Sequence, residues 1–379
     1  MEKYNIKEFI DKFRIDTSMN DMLHVCKRFN NKKRDYLFVN KYQGKHVPVS
    51  PVNVYKAMSE LYNKAYESLK DEKRMLFVGF AETATAIGET LFYYATQSDK
   101  PLDVVEYVHT TRESLNLQEL INFQEEHCHA PEQRLFIRDK DIDFDSVVFI
   151  EDEISTGNTI LNFIRKFDTV RKIKHFYVVS FANWQSKEDL DKFIGIPIKF
   201  ISLASGTIKD KSVTLSVDCN DYIVYNDNEV QLNFLSCMGY HDARGGITPE
   251  ELCQNYQICD ILSDRIEKNI THNDTVEVIG TEEFMGFPLR VAKVLEDRGY
   301  TVNYHATTRS PIQTASDCII TDGSNVESAY EVSRINYLYN MKDRDYTKIV
   351  VISDGRFSSE FISSIKAFNK PVIFVNVNQ

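Results

Sequence analysis

Short apolar runs alternate along this chain with stretches in which apolar side chains recur every three or four positions. Met75–Phe80 is a run of strand length, AETATAIGETLFYYAT after it has helical spacing, and Asp103–Thr111 is strand-like again, which predicts a βαβ unit. A polar, charged stretch from Arg112 to Arg134 follows. The alternation then resumes: a strand over Ser146–Asp152, a helix through STGNTILNFIRKF, and strands at His175–Ala182 and Ile196–Ala204. Upstream, residues 1 to about 35 mix short amphipathic helical patterns with charge. Tyr36–Pro51 reads as a strand, a glycine-containing turn and a second short strand, with a helix from Asn53 to Leu69. This order predicts an α/β fold over residues 1–205, a doubly wound and mainly parallel sheet whose ligands sit beyond the carboxyl ends of its strands.

Residues 206–274 are patterned poorly and are expected to connect two lobes. Strands are predicted at VTLSV (213–217) and DYIVY (221–225), with a turn-rich HDARGGITPEEL after them. From 275 to 379 the α/β alternation returns, and here the chain echoes itself. Phe77–Thr83 resembles Val278–Phe284, His109–Ser114 resembles Ala306–Pro311, and Val147–Asp152 resembles Val350–Gly355, each at an offset of roughly 200 residues. Three echoes in one order predict a second α/β lobe that is a degenerate repeat of the first.

Composition removes several classes of function. A net charge of −11 and a pI near 5.4 argue against nucleic acid or an anionic membrane as partner. No apolar run reaches the roughly 18 residues of a membrane span, and the charged start MEKYNIKEFIDKFRID does not read as a signal peptide, so the expected location is cytoplasmic. Seven scattered cysteines without a CxxC pair indicate neither a disulfide framework nor a zinc cage.

The candidate chemistry is concentrated in Val147–Thr159, VVFIEDEISTGNT. A buried strand brings Glu151 and Asp152 to its carboxyl end, where paired carboxylates can accept hydrogen bonds from two neighbouring ribose hydroxyls. Ser155, Thr156, Gly157, Asn158 and Thr159 then turn backbone N–H groups and hydroxyls toward a phosphate at a helix N-terminus. Together they specify a ribose 5-phosphate. No Gly-Lys-Ser/Thr follows, which removes a Walker A loop, and no GxGxxG is present for a dinucleotide.

An acidic pair before a Ser/Thr-Thr-Gly-x-Thr loop resembles the motif by which type I phosphoribosyltransferases bind 5-phosphoribosyl-1-pyrophosphate (PRPP). More narrowly, Gly44–Pro51, Val78–Gly88, His109–Glu113, Glu125–Ala130 and the acidic motif resemble the orotate phosphoribosyltransferase-like domain of bacterial tellurite-resistance (Ter) gene neighbourhoods. Gly280–Pro311 resembles the TRSP domain that follows it. The resemblance implies a type I phosphoribosyltransferase fold, Mg²⁺ carried to Glu151 and Asp152 indirectly through PRPP, and a small-molecule acceptor in a nucleoside-like pathway. It leaves open the acceptor, the glycosidic bond type and whether the chain forms a homodimer. It also implies that the first strand-to-helix turn, with Phe80, Ala81, Glu82 and Thr83, binds pyrophosphate. Glu82 is unexpected beside a polyanion, and either a Mg²⁺ ion or a helix-capping role accounts for it. Arg112 can clamp pyrophosphate oxygens, or stand solvated at a strand end. Glu126, His127 and His129 lie in a segment that can cover the site, where imidazole can protonate the leaving group or activate the acceptor. Lys45 and His46 can approach an anion from the first hairpin. Purine-salvage members carry an Asp where this chain has Ser155, which argues against a purine acceptor.

In the second lobe Ser353 and Asp354 replace the acidic pair, and GRFSS replaces the phosphate loop. That lobe is therefore expected to serve the acceptor rather than PRPP, through Arg309 and Arg356, and a chain ended near Ala204, if it folds, is expected to keep PRPP affinity within about tenfold. A PRPP-sensing regulator and a PRPP synthetase-like enzyme are the competing readings. No helix-turn-helix stands out for the first, and no ATP site or basic catalytic loop for the second.

Overall fold

Continuous Val/Ile/Phe runs suit strands buried on both faces, and the computed structural model of the chain forms two parallel sheets from them. It describes residues 5–29, 35–99, 102–115, 117, 119–124, 132–138, 143–209, 230–342 and 344–378. The first sheet has the order Ile10–Ile15, Ile198–Ile208, His175–Asn183, Ser146–Ile154, Arg74–Gly79 and Val104–His109, parallel except for its first strand. The second has the order Leu232–Cys237, Val372–Val377, Lys348–Ser353, Thr275–Gly280 and Thr301–Ala306, parallel throughout. Among the described residues no helix is long and apolar enough to cross a membrane.

Two expectations fail near the N-terminus. Only Ile6–Phe9 is helical, and Ile10–Ile15 and Leu23–Arg28 are strands. Ile10–Ile15 finds an open sheet edge on Ile198–Ile208, and pairing there outweighs a short helical pattern. The second strand predicted within Tyr36–Pro51 is also missing. Tyr36–Asn40 is a strand, and past the turn that follows it Val49 makes an isolated bridge to Tyr304 in the second lobe. Leu23–Arg28 and Tyr36–Asn40 take a third strand, Ile312–Gln313, from that lobe as well. The predicted strands at 213–217 and 221–225 lie outside the described residues.

The repeat is carried by the backbone. Helices Pro51–Leu69 and Pro249–Glu267 each have 19 residues and each start on proline after Ser50 or Thr248. Helices Thr85–Thr96 and Gly286–Asp297 each have 12. The Tyr107 hydroxyl donates to Thr85 O at 2.6 Å, as that of Tyr304 donates to Met285 O at 2.9 Å. The Thr110 hydroxyl accepts from Ala81 N at 2.9 Å, as that of Thr307 accepts from Glu282 N at 3.0 Å. The contacts between lobes are reciprocal too: Val49 pairs with Tyr304, and Ile247 pairs with Tyr107. This is the isologous arrangement of a two-fold dimer, built within one chain.

One apolar core runs through both lobes. Leu61, Phe77 and Tyr107 share it with Tyr256, Phe287 and Tyr304. Helix Thr85–Thr96 packs on helix Gly286–Asp297 so closely that a Cβ on Gly286 would fall 2.3 Å from Glu89 Oε2. Burial there pushes the Glu89 carboxyl up to about 7.

Candidate functional site

The acidic strand Ser146–Ile154 lies inside the first sheet, between His175–Asn183 and Arg74–Gly79. It is buried through Ile150, whereas Glu151, Asp152 and Glu153 are half-buried, so the acidic pair lies within the strand rather than after it. Burial raises the Asp152 carboxyl to about 6, reinforced by the neighbouring charge of Glu153 and opposed by hydrogen bonds from Thr83 and Gln43. Gln43 Nε2 reaches Asp152 Oδ2 at 3.5 Å and Thr83 O at 2.8 Å, tying the acidic strand to the first turn.

After the strand, Gly157 turns the chain with φ 75°, and a Cβ there would lie 2.6 Å from Gln185 Nε2. No other residue type fits that turn without strain. Helix Asn158–Val170 begins at once with no side-chain cap, so Asn158 and Thr159 are its first two residues. The N–H groups of Ser155, Thr156 and Gly157 donate to no described residue, while Thr156 Oγ1 accepts from Asn158 N at 3.4 Å. Open amides and a helix N-terminus on one loop form a cradle for an anion.

The first turn follows strand Arg74–Gly79. The Phe80 ring packs on Phe149 and Phe163, which places it in the core as an anchor. Ala81, joined to Glu82 by a cis peptide, is held through Thr110 Oγ1 and by Gln133 Nε2 donating to its carbonyl at 2.7 Å. The N–H groups of Glu82 and Thr83 donate to no described residue. The site thus presents two sets of open amides, one after the acidic strand and one after the strand beside it.

Glu82 is paired inside the protein, and of its expected readings the capping role fails. Its carboxylate meets Lys45 Nζ at 2.6 Å, with Arg112 Nη1 at 3.8 Å and Arg309 Nε at 3.9 Å. Burial alone would raise it, but Lys45, then Arg112 and Arg309, hold it at about 2. It does not cap the next helix, which Ala84 precedes. Lys45 therefore serves this internal anion rather than a ligand, and burial lowers its own pKa. His46 is buried, and desolvation followed by the Lys45 charge lowers it to about 3. Arg112 is mostly buried between the lobes, with its backbone N–H donating to Glu283 Oε2 at 3.5 Å. Glu126, His127 and His129 lie outside the described residues.

The second lobe is occupied by its own side chains at the matching place. Asp354 accepts from Arg244 Nη1 and from the Tyr330 hydroxyl, and Ser353 Oγ is 2.7 Å from Thr281 Oγ1. A Cβ on Gly355 would sit 2.5 Å from Ala329 O. Arg309 is held by Glu282 at 2.7 Å and Glu113 at 3.1 Å, contrary to its expected use on a ligand, while Arg356 is exposed. Sequence reasoning missed Gln43, Thr110, Gln133, Arg244 and Glu283. The one signal for them was the paired Thr-Thr-Arg in Thr110–Arg112 and Thr307–Arg309.

A parallel sheet with an acidic strand at its centre is in keeping with a phosphoribosyltransferase, and the family comparison gives that class. Residues 22–207 match the phosphoribosyl transferase family model, and residues 241–368 match the TRSP domain that lies C-terminal to it. The chain belongs to that two-domain family. Among solved structures, adenine phosphoribosyltransferase from Thermoanaerobacter pseudethanolicus is similar over 48% of this chain and 96% of its own, at 14% identity and TM-score 0.35. The enzyme from Trypanosoma brucei, solved with AMP, pyrophosphate and ribose-5-phosphate, matches over 48% and 76% at 14% identity and TM-score 0.33. Orotate phosphoribosyltransferase from Aeropyrum pernix matches over 41% and 72% at 16% identity and TM-score 0.26. No curated protein matches the chain.

Proposed function

We propose that the first lobe binds Mg²⁺–PRPP and transfers its phosphoribosyl group to a small acceptor. The observation that carries this reading is the pair of open-amide sets that follow two adjacent strands, one of them the strand that bears Asp152. In this reading the Ser155–Gly157 amides and the helix N-terminus hold the 5-phosphate. Glu151 and Asp152 accept from the ribose hydroxyls, and the Glu82 and Thr83 amides receive the pyrophosphate. The oxygen-only donors Glu151, Asp152 and Thr83 suit a hard divalent cation, which would neutralise charge on the leaving pyrophosphate. The residues themselves position the ribose and stabilise the departing anion, with no covalent intermediate on the protein.

The acceptor side is shared between lobes in this reading, because Gln43 follows strand Tyr36–Asn40 in a sheet completed by Ile312–Gln313. The product would be a nucleoside-like metabolite made in the cytoplasm and linked to tellurite or stress resistance, as the family resemblance implies. Calorimetry with PRPP and MgCl₂ is expected to give one site per chain, with affinity rising from pH 5 to 7 as Asp152 ionises. Absence of heat and of thermal shift at saturating PRPP rejects the reading.

A further inference from the structure

We infer that Arg309 of the second lobe is a positioning residue for the pyrophosphate turn of the first. The inference rests on the proposed PRPP site. Glu82 stands inside that turn, 7% exposed, so its charge must be matched within the protein for the turn to hold its shape. Part of the match comes from its own lobe through Lys45. The rest crosses from the second lobe, where the backbone N–H of Arg309 donates to Glu82 Oε1 at 3.3 Å and its guanidinium stands 3.9 Å from Oε2. Arg309 is itself fixed, with Nε on Glu282 at 2.7 Å and Nη2 on Glu113 at 3.1 Å. Lys45 spans the same seam, donating to Glu282 O at 2.7 Å and Thr307 O at 2.9 Å.

The reciprocal contact shows that this is a designed seam and not a chance approach. Glu283, which matches Glu82 by the repeat, takes Arg244 Nε at 2.6 Å from its own lobe. From the first lobe it takes the Thr111 hydroxyl at 2.5 Å and the Arg112 N–H at 3.5 Å. Each turn glutamate is thus held by a cation of its own lobe and by the Thr-Arg segment of the other. Among the described residues, the loop after the acidic strand of the first lobe keeps open amides, whereas in the second lobe Gly355 N donates to Ser353 Oγ and Arg356 N to Ala329 O. The amides of Glu82 and Thr83 that are to receive pyrophosphate belong to the residue Arg309 restrains and to its neighbour, so loosening Glu82 displaces them. The Ser155–Gly157 loop lies on another strand and has no bond to Arg309.

The test compares two ligands on the full-length chain. Arg309→Ala and the milder Arg309→Lys are titrated by calorimetry with Mg²⁺–pyrophosphate and, separately, with ribose 5-phosphate, beside the wild type and an exposed control, Arg356→Ala. Arg309→Ala is expected to weaken pyrophosphate by about tenfold and ribose 5-phosphate by less than about twofold, with Arg309→Lys between it and the wild type. Equal weakening of both ligands, or no change in either, overturns the inference while leaving the PRPP site standing. Should Arg309→Ala fail to fold, Arg309→Lys decides by the same selectivity. A wild type that binds neither ligand overturns the PRPP reading and this inference with it.

Discussion

The two lobes place the same backbone under opposite demands. In the first, Asp152 lies near the end of a strand whose own loop and whose neighbour's turn keep unspent amides, and its donors are the amide of Gln43 and the hydroxyl of Thr83. In the second, Asp354 ends the matching strand with Arg244 and Tyr330 already upon it. A strand end can bind a ligand only if the protein declines to satisfy it. At the matching place the second lobe spends its polar groups on one another, while its Arg309 reaches across to Glu82 of the first.

The comparison can be broken most completely by cutting the lobes apart. The affinity expected of a chain ended near Ala204 depends on its folding, and the cut removes Phe287 and Tyr304, the partners that Phe77 and Tyr107 need in the shared core. Such a chain is expected to show no cooperative melt by circular dichroism. A sharp transition would mean that the lobes are separable after all.

Next in size is the buried seam. Glu89 and Arg290 are the fifth residues of matching helices, but Arg290 stacks on the Tyr256 ring at 4.6 Å, while among the described residues no charge partner offsets the burial of Glu89. Below pH 4.5 its carboxyl is protonated in both folded and unfolded chains and costs nothing. Between there and about 7 the unfolded chain ionises while the native one keeps its proton, so stability falls as pH rises. Glu89→Gln is expected to raise stability at pH 8 by on the order of 3 kcal/mol and to change little at pH 4. Denaturant midpoints at both pH values measure it, and an equal gain at each would remove the carboxylate as the cause.

Smaller effects separate the two strand ends. Asp152→Asn is expected to weaken PRPP by about 1–3 kcal/mol with little change in melting. Asp354→Asn is expected to do the reverse, because it leaves the buried Arg244 with one anion fewer. Calorimetry and thermal melts on both variants read the contrast, which equal PRPP affinities would erase. Smallest is Gly157→Ala, expected to cost about 1 kcal/mol of stability from its left-handed φ, together with some PRPP affinity.

Much of the frame was legible in the sequence because parallel strands buried on both faces are contiguous apolar runs. The acidic motif was legible for the same reason, since strand, carboxylates and loop follow one another from Val147 to Thr159. Glu82 was misread because its partners Lys45, Arg112 and Arg309 come from three distant segments, and no local pattern announces a long-range ion pair. The N-terminal strands escaped notice for a related reason. Ile10–Ile15 is a strand only by virtue of an edge made nearly 200 residues later.

The bond from Lys45 across to Thr307 has a consequence for how the protein is made. A ribosome that has finished the first sheet at Ile208 must add about a further hundred residues before Thr307 and Arg309 exist, which at cellular elongation rates takes roughly 5–20 s. Until then Glu82 has Lys45 and Arg112 of its own lobe but not Arg309, and the apolar faces destined for Phe287 and Tyr304 are uncovered. The nascent first lobe is therefore expected to carry uncovered apolar surface during its own synthesis, and synonymous changes that slow translation between residues 209 and 309 are expected to lengthen that exposure without altering a single side chain.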